Sequence, residues 1–257
     1  MKERRPAPSG EADGIIEGRN AVTEALRAGT PIDKIYLARG ETDAALGHIA
    51  STARSKGVVV VECDRRKLDG MSTTGNHQGV IAQAAAHAYA SLDDLFQNAA
   101  DKGEAPLFVI CDGIADPHNL GAIIRSAETA GAHGVIIPKR RAAGLTAVAA
   151  RASAGALAYM PVHKTVNLAG LIDDLKERGV WVFGAEADGT VGLYEADFAG
   201  PTAIVIGSEG EGISRLVRQK CDFIVSIPMR GKVNSLNASN AAAVLLFEAV
   251  RRRTYGK

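Results

Sequence analysis

The sequence has three cysteines in 257 residues, a single tryptophan, and aromatic residues at only 5% of positions. Cys63, Cys111 and Cys221 lie far apart and in no metal-ligand spacing. That argues against a disulfide framework or a metal centre and leaves free thiols as the expectation. No apolar run is long enough to cross a membrane. Met1 to Asp13 is charged, holds proline and glycine, and lacks the apolar core of a secretory signal. It reads as a disordered tail on a cytoplasmic protein. Charge is also scarce in net terms, at +1. Bulk electrostatics therefore offer no argument for a nucleic-acid partner. Local clusters (Arg65, Arg66 and Lys67; Lys139, Arg140 and Arg141; Arg251, Arg252 and Arg253) suit either phosphates or a solvated surface.

What is present is an alternation of helix and strand periodicity. In residues 14–88, helices over 20–27, 43–55 and 64–68 alternate with strands over 32–37, 58–61 and 80–84. This predicts a small α/β domain. A polar loop of no evident purpose, Ser72-Thr73-Thr74-Gly75-Asn76-His77-Gln78-Gly79, precedes its last strand. Residues 89–106 read as a linker with a helical segment over 91–99. The second domain, 107–257, repeats the alternation with strands over 107–111, 134–137, 180–185, 203–207 and 223–227. Helices over 120–130, 168–178, 213–219 and 237–252 separate or follow them. The fold class is α/β with a mostly parallel sheet covered on both faces, and periodicity alone implies an open, doubly wound arrangement.

Ligands of such sheets bind beyond the carboxyl ends of the strands. Three polar loops follow strand ends. The first, 112–119, leads into a helix for which Asn119 is the expected N-cap and Gly131 the C′ residue. Arg125, nearly two turns in, reads either as a weak surface pair with Glu128 or as a guanidinium aimed at a phosphate or ribose. Gly121 suggests close backbone approach. The second loop, Gly207-Ser208-Glu209-Gly210-Glu211-Gly212, has GxxGxG spacing and no fingerprint acid after it, which argues against a nicotinamide site. Its glutamates favour a ligand that is neutral or cationic there. The third, Ile227 to Asn240, is dense in Asn, Ser and Gly. One helix cap would account for one of these residues and not for all of them.

Together the three loops strongly resemble motifs 1, 2 and 3 of the SpoU/TrmH branch of the SPOUT RNA ribose 2′-O-methyltransferases. Gly14 to Val22 (GIIEGRNAV) resembles the opening of the L30e-like substrate-binding domain of RlmB-type ribosomal RNA guanosine methyltransferases. The resemblance implies an L30e-like domain followed by a SPOUT domain with a deep trefoil knot, and a homodimer. It implies S-adenosylmethionine as cofactor, held by Ile206, Gly207, Ser208, Ile227, Met229 and Leu236. It implies a catalytic set of Arg125, Asn119, Glu209, Ser235 and Asn237, and 23S ribosomal RNA as partner. Transfer RNA, the thiostrepton-resistance type of ribosomal target, and a catalytically silent RNA-binding protein are the alternatives. Asn234 and Asn240 depart from common residues of the family without removing a motif position.

Overall fold

The computed structural model describes residues 14–40 and 43–256. The tail expected over residues 1–13 lies outside them. The chain divides into two compact units, one running to Ala88 and including Leu145–Ala147, the other comprising Tyr89–Gly144 and Val148 onward.

The first unit is built from β1 (Ile15–Glu17), α1 (Arg19–Ala28), β2 (Ile32–Ala38), α2 (Ala44–Ser55), β3 (Val59–Cys63), α3 (Arg65–Met71) and β4 (Val80–Ala84). Its four-stranded sheet has the order β1-β4-β2-β3. The β2/β3 pair is parallel, and β4 runs antiparallel to both β1 and β2. Val22, Leu26, Ile35, Leu46, Ile49 and Val80 fill its core. Strand β1, absent from the periodicity, is too short to carry an alternating pattern.

The loop between α3 and β4 is organised by one carboxylate. Glu17 accepts from the Ser72 hydroxyl at 2.5 Å, the Thr73 amide at 2.6 Å, the Thr73 hydroxyl at 2.5 Å, and the Thr74 hydroxyl at 2.9 Å. Partial burial opposes ionisation, but these donors outweigh it and hold the carboxyl down at about 2. Beyond this anchor Gln78 adopts φ 52°, a left-handed conformation that costs a non-glycine residue of order 1–3 kcal/mol.

The second unit contains α4 (Leu92–Lys102), β5 (Leu107–Cys111), α5 (Pro117–Thr129), β6 (Gly134–Pro138), α6 (Ala147–Ala152, its first residue grouped with the first unit), β7 (Val162–Thr165), α7 (Leu168–Glu177), β8 (Trp181–Ala185), β9 (Val191–Gly192), β10 (Thr202–Ile206), α8 (Arg215–Lys220), β11 (Phe223–Ser226) and α9 (Ala238–Tyr255). Its seven strands run in the order β7-β6-β5-β10-β8-β11-β9, every pair parallel. All five residues of β5 and of β10 are buried, as central strands covered on both faces require. The order departs from simple outward growth. Strand β10 follows β8 in the chain yet lies between β5 and β8, a return that periodicity does not encode.

Residues 89–106 are not a free connection. Ser91 and Asp94 form a capping box at the start of α4, and Gly103 ends the helix at φ 67°. Leu95 is fully buried among Phe108, Ile136 and Leu175. The C-terminal arginines are structural too. Arg253 donates to the carbonyls of Phe198, Ala105, Pro106 and Gly200 at 2.6–3.0 Å, while Arg251 and Arg252 pair with Glu248. Among the described residues no helix is long and apolar enough to cross a membrane, and no cluster of three potential metal ligands occurs.

A Cβ added at Gly134 would lie 2.2 Å from Leu95 Cγ. Gly134→Ala is therefore expected to cost about 1–3 kcal/mol by overpacking, seen as a lower urea midpoint with an unchanged slope. In the first unit, Glu17 has a depressed pKa. Its contribution is complete above the ordinary carboxylate value of 4.5 and is lost as pH falls towards 2. Glu17→Gln should thus be less stable than wild type at pH 7, and the gap should close between about pH 5 and pH 2 in urea melts.

Candidate functional site

The carboxyl ends of β8, β10 and β11 open onto a cleft of about 460 Å³. Its lining includes Ile206, Gly207, Ser208 and Glu209 after β10, and Ile227, Met229, Asn234, Ser235 and Leu236 after β11. Met229 and Leu236 leave 37% and 38% of their surface exposed at this cleft, although both are apolar. The loop after β8 also contributes, through Glu186 and Asp188, and the sequence reading missed it. The available signal was the same one used elsewhere, a polar turn (Glu186-Ala187-Asp188-Gly189) directly after a buried strand.

Glu186 works on the second loop. Its Oε1 accepts from the Ile213 amide at 3.1 Å, and its other oxygen is paired with Arg218, which also reaches Asp188 at 3.2 Å. The hydrogen bond to Glu186 and the nearby Asp188 charge raise the Arg218 pKa above its ordinary value. The second loop closes on itself. The Ser208 amide donates to the Gly212 carbonyl at 3.0 Å, and the Gly212 amide donates back at 2.9 Å. A Cβ on Gly207 would sit 2.2 Å from the Gly212 carbonyl carbon. Gly207 is thus required by the loop's own closure, in addition to its place in the cleft.

Asn119 is not the N-cap of α5. Asp116 is, accepting from the His118 amide at 2.8 Å, with Pro117 at the first helical position. The proline presets the helical φ four positions after Gly113, so the helix begins earlier than Asn119 and leaves that side chain free to turn outward. Asn119 Nδ2 donates to Glu209 Oε1 at 3.1 Å. Asn237 Nδ2 donates to Asn119 Oδ1 at 2.9 Å and to Glu209 Oε1 at 2.5 Å. One residue from each loop therefore meets in a closed triangle at the mouth of the cleft. The Oδ1 of Asn237 meanwhile caps α9, accepting from the amides of Ser239 and Asn240.

Arg125 is placed differently. It is exposed on α5, about 9 Å along the helix axis from Asn119, and does not line the cleft. The surface pair with Glu128 does not form, and among the described residues no carboxylate pairs with this guanidinium. Gly121 serves packing, because a Cβ there would meet the Ala149 carbonyl and the Ala152 methyl at 2.5 Å, both on α6. Helix α5 packs along α9, the helix that begins in the third loop.

Residues 106–247 match the model of the SpoU rRNA Methylase family, and residues 15–90 match that of RNA 2′-O ribose methyltransferase substrate binding. The chain belongs to the SpoU rRNA methylase family. A Bacillus subtilis protein, YacO, named for the TrmH family of tRNA/rRNA methyltransferases, is 47% identical over 95% of this chain and 98% of its own. Among solved structures, the SpoU methyltransferase AviRb of Streptomyces viridochromogenes, in complex with AdoMet, matches with a TM-score of 0.60 at 29% identity, covering 94% and 90% of the two chains. An AdoMet-bound rRNA methyltransferase of Sinorhizobium meliloti matches with a TM-score of 0.58 at 25% identity, covering 94% and 88%.

The thiols lie outside this chemistry. Burial, reinforced by the Asp112 charge, pushes Cys111 up to about 12. Burial, with Asp222 next, does the same to Cys221. Cys63 is raised as well, by burial. At pH 8 all three stay protonated, so the native protein should react slowly with a disulfide reagent, and three thiols should titrate at once in denaturant.

Proposed function

We propose that the protein methylates the 2′-hydroxyl of a ribose in large-subunit (23S) ribosomal RNA, that of a guanosine, using S-adenosylmethionine. The observation that carries this reading is the triangle of Asn119, Glu209 and Asn237, which fixes three loops around the mouth of one cleft. The family's description and the likeness to the Sinorhizobium rRNA methyltransferase over nearly the whole chain favour a ribosomal target. The Bacillus relative's name joins tRNA to rRNA, and transfer RNA is the second reading.

The cleft suits the cofactor chemically. Met229 and Leu236 offer apolar side chains to a flat ring, and Ile206, Gly207, Ser208 and Ile227 bring peptide groups to its edges. Four carboxylates line the cleft, Glu186, Asp188, Glu209 and Glu211, against the single Arg218 that pairs the first two, and the excess of negative charge suits a cationic or amino end. When bound, S-adenosylmethionine supplies a methyl group on a cationic sulfur. The ribose hydroxyl is a weak nucleophile and sheds its proton to solvent water as it reacts. A guanidinium is a poor proton acceptor, so Arg125 serves by clamping the neighbouring phosphate and polarising the hydroxyl rather than as a base. Ser235 and Asn237 position the ribose, and Asn119 and Glu209 hold Asn237. Positioning of this kind supplies much of the acceleration in such reactions. The same reading includes a deep trefoil knot in the last part of the chain, for which the late insertion of β10 is the support, and a homodimer in a cytoplasmic setting.

The test uses labelled S-adenosylmethionine with total RNA fractionated into ribosomal and transfer pools. Label should enter large-subunit RNA. Arg125→Ala should lose about 10²-fold or more in turnover, and Arg125→Lys should remain well below wild type because an ammonium cannot grip a phosphate in two places. Near-full turnover of the Lys variant would overturn the clamp, and label confined to transfer RNA would overturn the ribosomal target.

A further inference from the structure

The first unit carries a second polar concavity, of about 460 Å³, lined by Arg19, Arg65, Asp69, Asn76, His77 and Gln78. It lies on the loop that the sequence left without a purpose. Resting on the RNA reading above, we propose that this notch holds one unpaired nucleotide of the substrate RNA, its base read by the amides of Asn76 and Gln78 and its phosphate met by Arg19 and Arg65.

The notch is built rather than incidental. Glu17 pins Ser72, Thr73 and Thr74, and the Ser72 hydroxyl in turn accepts from the Gly75 amide at 2.9 Å. Downstream, the buried His77 accepts from the Gly79 amide at 3.1 Å through Nδ1 and meets Asp69 at 2.9 Å through Nε2. The two-residue tip between these anchors, Gly75 and Asn76, is thereby fixed from both sides. Arg19 is aimed as well. Its backbone amide donates to Gln78 Oε1 at 3.2 Å, its Nε donates to the Gln78 carbonyl at 3.1 Å, and its Nη1 pairs with Asp43 at 2.5 Å. Gly18, at φ 88°, holds the chain beside Gln78 in a backbone conformation that a side chain would strain.

This bonding leaves specific groups unspent. Asn76 is exposed, and among the described residues its side-chain amide has no partner; the amide nitrogen of Gln78 has none either. The carboxamide of Asn76, with a donor and an acceptor, and the remaining donor of Gln78 match the edge of a nucleobase, where one bidentate amide discriminates by about five- to hundredfold. Asp69 adds an acceptor for an exocyclic amino group. A base edge is accessible in this way only when the nucleotide is unstacked, in a loop or bulge. The two arginines, with Arg66 and Lys67 following Arg65 on the exposed side of α3, bring the positive charge that the chain lacks in net terms.

The test uses the full-length protein and a pool of RNA hairpins carrying ten randomised loop nucleotides, with a blunt duplex of the same stem as control. Bound RNA is sequenced. Wild type should prefer the hairpin pool to the duplex and enrich one base at one loop position. Asn76→Ala should lose that enrichment and about five- to hundredfold in affinity for the enriched hairpin, with duplex binding unchanged. Arg65→Ala should weaken hairpin binding whatever the loop sequence and reduce the salt dependence by about one unit of log–log slope. Equal binding of pool and duplex by wild type, or the same enrichment by Asn76→Ala, overturns the proposal. Binding of S-adenosylmethionine, followed by calorimetry, should be unaltered in both variants. If wild type transfers no methyl group yet shows enrichment that depends on Asn76, the methyltransferase reading fails and the notch stands. If transfer proceeds without that enrichment, the notch alone fails.

Discussion

One amide side chain does two jobs in this molecule, and the arrangement of the cleft depends on both. The Oδ1 of Asn237 accepts the first free amides of α9, and its Nδ2 reaches Asn119 and Glu209. An aspartate would cap the helix equally well, but it could donate nothing to the other two loops and would face Glu209 with like charge. A serine would cap without spanning the gap. The constraint is thus a residue that accepts at one end and donates at the other, at the junction of a helix start with two strand ends. The surplus of polar residues in the third loop follows from it in part. Asn237 caps and bridges, Ser239 donates to it at 2.6 Å through its hydroxyl, and Asn234 and Ser235 are left for the cleft.

Much of the fold was legible in the chain because its central strands are uniform. β5, and β10 after its first residue Thr202, read as unbroken apolar runs, and such runs permit little besides a covered parallel sheet. The end of α5 was legible too, in Gly131, which follows the helix at φ 70°. What stayed hidden was either short or non-local. β1, β7 and β9 have two to four residues each, below the length at which a period can be seen. The placement of β10 between β5 and β8 is a long-range pairing that no local pattern encodes.

For the cleft, the three loops were legible as polar interruptions at strand ends, while their mutual bonding was not. Asn119 looked like a cap because it stands where apolar periodicity begins. The helix starts earlier, at a proline whose side chain contributes nothing to that periodicity. The terminal arginines looked available to phosphates, yet Arg253 spends its donors on four carbonyls of this chain. Arg125, by contrast, kept its exposure, and a lone cation on a packed helix is what the sequence had left open.

The late return of β10 also sets a schedule for synthesis. β5 leaves the ribosome as a wholly apolar strand, and the neighbour that fills the centre of the sheet is made roughly a hundred residues later, about 5–20 s at ordinary elongation rates. During that interval one edge of β5 has no strand to pair with. An unpaired apolar edge is the feature that invites pairing between nascent chains. The position that gives this protein its most protected strand in the finished sheet is therefore the most vulnerable one while the chain is being made.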